Sequence, residues 1–116
     1  MDIIRIYHNP RCRKSRETLE IIRSRGYEPE IIEYLKNPPT VNELKNLLDK
    51  MNMKPEEILR KGEDLFKSKF RGKKLTDEEW LKVLVNYPKL IERPIVVSGD
   101  QVVLGRPPEK VREILG

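Results

Sequence analysis

The stretch "YHNPRCRKSR" (residues 7–16) holds the only cysteine of the chain, Cys12, and the only histidine, His8. It also holds four basic residues, Arg11, Arg13, Lys14 and Arg16. Cysteine attacks as the thiolate, and a free thiol with a pKa of ~8.5 is only a few per cent ionised at neutral pH. Three local features favour the anion. Cys12 lies where a strand ends and a helix starts, so unpaired backbone N–H groups and the helix dipole face it. Cationic side chains flank it. His8, four residues upstream, would stabilise a thiolate as an imidazolium. The same features suit a tetrahedral oxyanion resting on the N–H groups of residues 13–16, with Ser15 donating and Arg16 as a fork. The competing reading is a lone cysteine serving as a small core residue. Its placement at a Pro-Arg-Cys helix start, outside the apolar stripe, favours the reactive thiol.

The elements that must position this loop follow from local patterns. "DIIRIY" (2–7) is a short β-branched run and predicts a central strand. Asn9 and Pro10 signal a turn. From Arg11 to Arg25 the apolar residues Leu19, Ile21 and Ile22 recur at helical spacing, with Ser15, Glu17 and Glu20 outward, and Gly26 ends the helix. "EPEIIEYL" (28–35) predicts a second strand, parallel to the first. "NPPT" breaks the chain. Thr40 and Glu43 then form a capping-box pattern ahead of Leu44, Leu47, Leu48 and Met51. A short helix is expected over 54–66, with Pro55 in its first turn. Another is expected over 76–88, capped by Thr76, with Trp80, Leu81, Leu84 and Val85 on one face. "RPIVVSGDQVVLG" (93–105) reads as a hairpin turning at "SGD", and "RPPEKVREILG" as a final helix. The order is βαβ, a helical block over about 40–88, then ββα. That predicts an α/β, thioredoxin-like (glutaredoxin-like) fold in one domain over 1–116, with a mixed four-stranded sheet and a helical insertion.

Composition narrows the function classes. The 116 residues are a normal size for one domain. A net charge of +5 points toward anionic ligands, although much of it is an interleaved Lys/Glu surface. One cysteine cannot form an internal disulfide, which fits a reducing cytoplasm rather than a secreted scaffold. No run of ~20 apolar residues is present, and "MDIIRIY" lacks a signal-peptide block. Aromatics make up 6% of the chain and do not interleave with the basic residues, which argues against nucleic-acid binding. No membrane, bound cofactor or metal is expected.

"HNPRCRKSR" resembles the H-x3-C-x3-R loop of the glutaredoxin-dependent arsenate reductases. The likeness runs through nearly the whole chain. "EILR" places Arg60, "LIERPIVV" places Arg93 before Pro94, and "VLGRP" places Arg106 where that family has arginines that converge on the oxyanion. Taken singly, each is an ordinary solvated arginine; taken in family order, the three imply a shared pocket. Pro94 stands where thioredoxin-type folds carry a cis proline. The resemblance implies that Cys12 attacks arsenate and that glutathione and glutaredoxin are the external reductant. It assigns Arg60, Arg93 and Arg106 to substrate and gives His8, Asn9, Ser15, Arg16 and Pro94 supporting places. Two other readings stay open: a thiol-redox enzyme of the same family with another substrate, and a regulator of the Spx type that binds RNA polymerase. That regulator branch has a C-x-x-C loop. Here the fourth position is Ser15, so an intramolecular disulfide switch cannot form.

Overall fold

A computed structural model describes residues 3–115 of the chain. The chain forms two compact units, Met1–Asn37 with Arg93–Gly116, and Pro38–Glu92.

The first unit is built on a four-stranded sheet in the order β2-β1-β3-β4. Strand β1 (Ile4–Tyr7) pairs parallel with β2 (Glu30–Ile32) and antiparallel with β3 (Ile95–Ser98), which pairs antiparallel with β4 (Gln101–Leu104). This mixed sheet, with helix α1 (Arg13–Ser24) crossing between β1 and β2, is the thioredoxin-like arrangement. The central place of β1 follows from its sequence, because Ile4, Ile6 and Tyr7 are all buried. Leu19 and Ile22 of α1 pack with Ile4, Ile6, Val96, Val111 and Leu115 in one core. Gly26, at φ +88°, turns the chain out of α1. Gly99, at φ +60°, supplies the left-handed residue that a two-residue hairpin between β3 and β4 requires.

Two expected elements differ. The second strand is only Glu30–Ile32, well short of 28–35, because the backbone turns at Glu33: its carbonyl accepts from Lys36 N–H at 3.0 Å and Asn37 N–H at 2.9 Å. The tail is a 3-10 helix over Pro108–Ile114 rather than an α-helix. Lys110 N–H bonds back three residues to the Pro107 carbonyl, and Pro107 and Pro108 bring no N–H of their own to the first turn.

The second unit is helical: α2 (Val41–Met51), α3 (Asp64–Lys69) and α4 (Asp77–Asn86), joined by 3-10 turns at Pro55–Ile58 and Pro88–Leu90. The region 54–66 is therefore a 3-10 turn followed by a separate start at Asp64, not one helix. Thr40 Oγ1 accepts from Glu43 N–H at 3.1 Å. At α4 the reciprocal box is complete, with Thr76 N–H donating to Glu79 at 3.0 Å and Glu79 N–H donating to Thr76 at 3.2 Å. Phe66, Phe70 and Trp80 form an aromatic cluster, with Tyr87 edge-on to Phe70. Among the described residues, no helix is long and apolar enough to cross a membrane.

Gly105 locks the end of β4 against α1. A Cβ there would lie 2.8 Å from Thr18 Oγ1 and 2.9 Å from Pro94 Cγ. Neither neighbour yields easily, because Thr18 is fully buried with its hydroxyl donating to the Lys14 carbonyl at 2.8 Å, and Pro94 is a ring. Gly105→Ala should therefore cost about 1–3 kcal/mol by overpacking. Thermal unfolding is expected to drop by at least ~4 °C. An unchanged melting temperature would show that the chain relaxes there freely.

Candidate active site

The loop between β1 and α1 is fixed by its own short side chains. Asn9 Oδ1 accepts from Arg11 N–H at 3.0 Å, an Asx turn, and the Asn9 carbonyl accepts from Cys12 N–H at 3.0 Å. Arg16 Nη1 donates to the Pro10 carbonyl at 3.1 Å and so ties the first turn of α1 to the loop. These bonds leave Cys12 as the N-cap of α1, in extended backbone at φ −90° and ψ 122°. No acidic side chain stands in the first turn of α1, whose Arg13, Lys14 and Arg16 are cations at the positive end of the dipole. That arrangement is unfavourable for a helix alone and favourable once an anion sits at its start.

The Cys12 sulphur is half-buried and reduced. Burial pushes its thiol up. That push is outweighed by the Ser15 N–H, the Arg93 charge, the Lys14 N–H and a hydrogen bond from the Arg93 side chain, so the thiol sits below its ordinary value. The cation that acts on the sulphur is thus Arg93, from the segment before β3, rather than the neighbours in sequence. Arg13 is turned to solvent, where it pairs with Glu17 at 2.8 Å, and Lys14 contributes through its backbone.

Arg93 is itself buried, with 9% of its surface exposed. Its Nε and Nη1 have no hydrogen-bond partner among the described residues. Its carbonyl accepts from Arg106 Nη1 at 3.1 Å, which brings the second arginine to the same segment. The Arg93–Pro94 peptide is cis, as the position of Pro94 implied, and Arg106–Pro107 is a second cis peptide that the sequence reading did not anticipate. Gly105 N–H donates to the Pro94 carbonyl at 2.8 Å and ties these two segments together.

His8 and Ser15 take places other than those expected. Ser15 is fully buried rather than outward, and its Oγ lies 2.6 Å from His8 Nδ1 while accepting from Asn9 N–H at 3.1 Å. His8 is 6% exposed. Burial lowers its pKa, Glu33 opposes that, and Arg23 and Arg16 add to it, for a net shift below the ordinary value. The shift favours the neutral ring. That ring holds Ser15, and through Ser15 the start of α1, rather than acting as a cation on the thiolate. Sequence spacing placed both residues near Cys12, but the bond between them joins positions seven apart and carried no local signal.

Arg60 belongs to the second unit. There its N–H donates to the Leu90 carbonyl at 2.8 Å beside the Leu59–Ile91 bridge, and its side chain pairs with Glu63 at 3.5 Å. The first unit thus sets the Arg93 side chain against Cys12 and the Arg106 side chain against the Arg93 carbonyl; Asn9 and Arg16 brace the Cys12 loop, Ser15 binds His8, and the Pro94 carbonyl binds Gly105. A partly buried, acidified thiol at a helix N-terminus beside a guanidinium with free buried donors can attack a tetrahedral oxyanion and stabilise the charge that develops.

Comparison with known proteins points the same way. Residues 7–114 match the model of the ArsC family. The chain is 44% identical over 115 residues to the uncharacterized protein YfgD of Escherichia coli K12, covering 97% of both chains. It is also 44% identical over 116 residues to the arsenate reductase of Escherichia coli K12, covering 99% of this chain and 82% of that one. Among solved structures, the arsenate reductase from Vibrio cholerae aligns with a TM-score of 0.93 at 43% identity, over 98% of both chains.

Proposed function

The chain belongs to the ArsC family, and from that premise we propose that it is an arsenate reductase in which Cys12 is the nucleophile and external thiols are the reductant. The observation that carries this reading is Arg93. Each buried donor left unpaired costs about 1–3 kcal/mol, and more on a charged group. A guanidinium with two such donors, set against an acidified thiol, is costly unless an anion binds there.

The chemistry balances as follows. The Cys12 thiolate attacks arsenic, an arsenate oxygen leaves as water after protonation, and a Cys12–S–As(V) bond forms. Arg93 and Arg106 neutralise the oxyanion during this step; their planar, permanently charged forks suit its geometry. Arg60 enters this reading through the family resemblance. A thiolate such as that of glutathione then attacks the Cys12 sulphur. The S–As bonding pair stays on arsenic, which leaves as arsenite, and the two sulphurs become a mixed disulfide. A second thiol, on glutaredoxin or glutathione, restores Cys12. Two thiols are oxidised for each arsenic reduced. A chain with one cysteine must take both electrons from outside, and this suits the reducing thiol pool of a cytoplasm.

The test is arsenate-dependent NADPH oxidation in the presence of glutathione, glutaredoxin and glutathione reductase. Turnover that saturates with arsenate is expected. If the purified, folded protein consumes no NADPH beyond the arsenate-free rate with glutathione, and forms no arsenite with other small thiols, the proposed activity is wrong.

A further inference from the structure

The first unit carries a cavity that the attack on arsenic does not use. It has a volume of about 340 Å³ and lies on the His8 side of the nucleophile loop. That volume is within the range of small-ligand sites. One wall is His8, Asn9, Pro10 and Arg11, the residues that lead into Cys12. The rest of the lining is the turn after β2, with Glu33, Leu35 and Lys36. That turn is fixed by the two N–H donations to the Glu33 carbonyl and by the buried Tyr34, so its charged side chains project from a set backbone.

The wall chemistry is specific. Arg11 and Lys36 are cations, Glu33 is an anion, and His8 favours its neutral form. Glu33 and Lys36 are 3.8 Å apart, a loose pair that can part for a ligand. Leu35 leaves 44% of its surface exposed between these charges and offers an apolar strip. The asymmetry of two cations to one acid fits a molecule with two carboxylates, one ammonium and an uncharged middle. Arsenate matches neither the ammonium site nor the apolar strip.

We propose that this cavity binds the reducing thiol, a small peptide-like thiol of the glutathione class, with its ammonium on Glu33 and its carboxylates on Lys36 and Arg11. The inference rests on the thiol-dependent reaction proposed above. It adds where the thiol docks: in the cavity lined by the residues that lead into Cys12.

The experiment uses the Glu33→Gln/Lys36→Gln double variant and two thiols, glutathione and the uncharged 2-mercaptoethanol. Partly exposed charge pairs have modest effects, so the ratio of the glutathione-driven to the mercaptoethanol-driven arsenate reduction rate should fall roughly three- to tenfold. The loss should appear in KM for glutathione. An unaltered ratio overturns the proposal, as does an equal loss with both thiols. A second measurement separates this outcome from failure of the arsenate reading itself. Oxidised glutathione is mixed with the arsenate-free protein, and the Cys12 adduct is followed by mass. The Cys12 thiolate attacks one disulfide sulphur, the S–S bond breaks, and one glutathione thiolate leaves. A rate that saturates with oxidised glutathione in the wild type, with a higher half-saturation in the variant, supports the cavity even if arsenate is not the substrate. Rates that are linear and identical in the two proteins overturn it.

Discussion

Cys12→Ser is expected to abolish arsenate-dependent turnover while leaving the fold intact. The side chain is half-buried at the N-cap of α1, and serine is among the best N-cap residues, so the helix start should hold or gain slightly. The chemistry is lost for a separate reason. The local N–H groups and Arg93 lower the thiol and so raise its thiolate fraction, whereas a downward shift on an aliphatic hydroxyl leaves it protonated. The His8 ring does not supply a base for that hydroxyl, because its Nδ1 is engaged with Ser15 Oγ at 2.6 Å. Activity should fall to the reagent background, with circular dichroism and melting temperature near those of the wild type. Residual turnover close to wild type, in a folded variant, would remove Cys12 as the nucleophile and leave the chain with no other thiol for the reaction.

Much of the scaffold of this site was legible in the sequence because its causes are local. The β-branched run of β1, the Gly99-Asp100 turn and the caps at Thr40 and Thr76 each act within a few residues. The Cys loop was legible as well, because Asn9 builds its turn with Arg11 and Cys12 directly. What escaped depends on contacts between distant segments. The charge on the sulphur comes from Arg93 rather than from the adjacent basic residues, because Arg13 pairs with Glu17 and Arg16 turns to the Pro10 carbonyl. Helical periodicity put Ser15 outward, but the end of β1 folds over that first turn and buries it against His8. The same burial favours the neutral imidazole, and no composition argument could supply it. Arg106 was expected through its side-chain charge, and what anchors it is a backbone carbonyl thirteen positions away.

Arg93→Ala is expected to have the largest effect of any substitution outside Cys12, and on two observables that must move together. The first is reaction rate. A buried donor aimed at developing oxyanion charge contributes about 2.7–4 kcal/mol, so kcat/KM for arsenate should fall by roughly 10²–10³. The second is the ionisation of Cys12. Arg93 lowers the thiol both by charge and by a hydrogen bond, so its removal must raise the midpoint of the pH profile for alkylation by iodoacetamide. The stability consequence has a definite sign. A group whose pKa is depressed in the folded state adds stability above its unfolded value and loses it as pH falls through the folded one. The wild type should therefore lose this contribution on acidification, and the variant should show less of it. An oxyanion should separate the roles further: sulfate or arsenate should raise the melting temperature of the wild type by mass action and have much less effect on Arg93→Ala. Arg93→Lys restores a charge but not the fork, so it should recover the Cys12 midpoint better than it recovers kcat/KM. If Arg93→Ala left both the alkylation midpoint and kcat/KM unchanged, the buried guanidinium would be a structural cation, and the oxyanion would have to be held elsewhere.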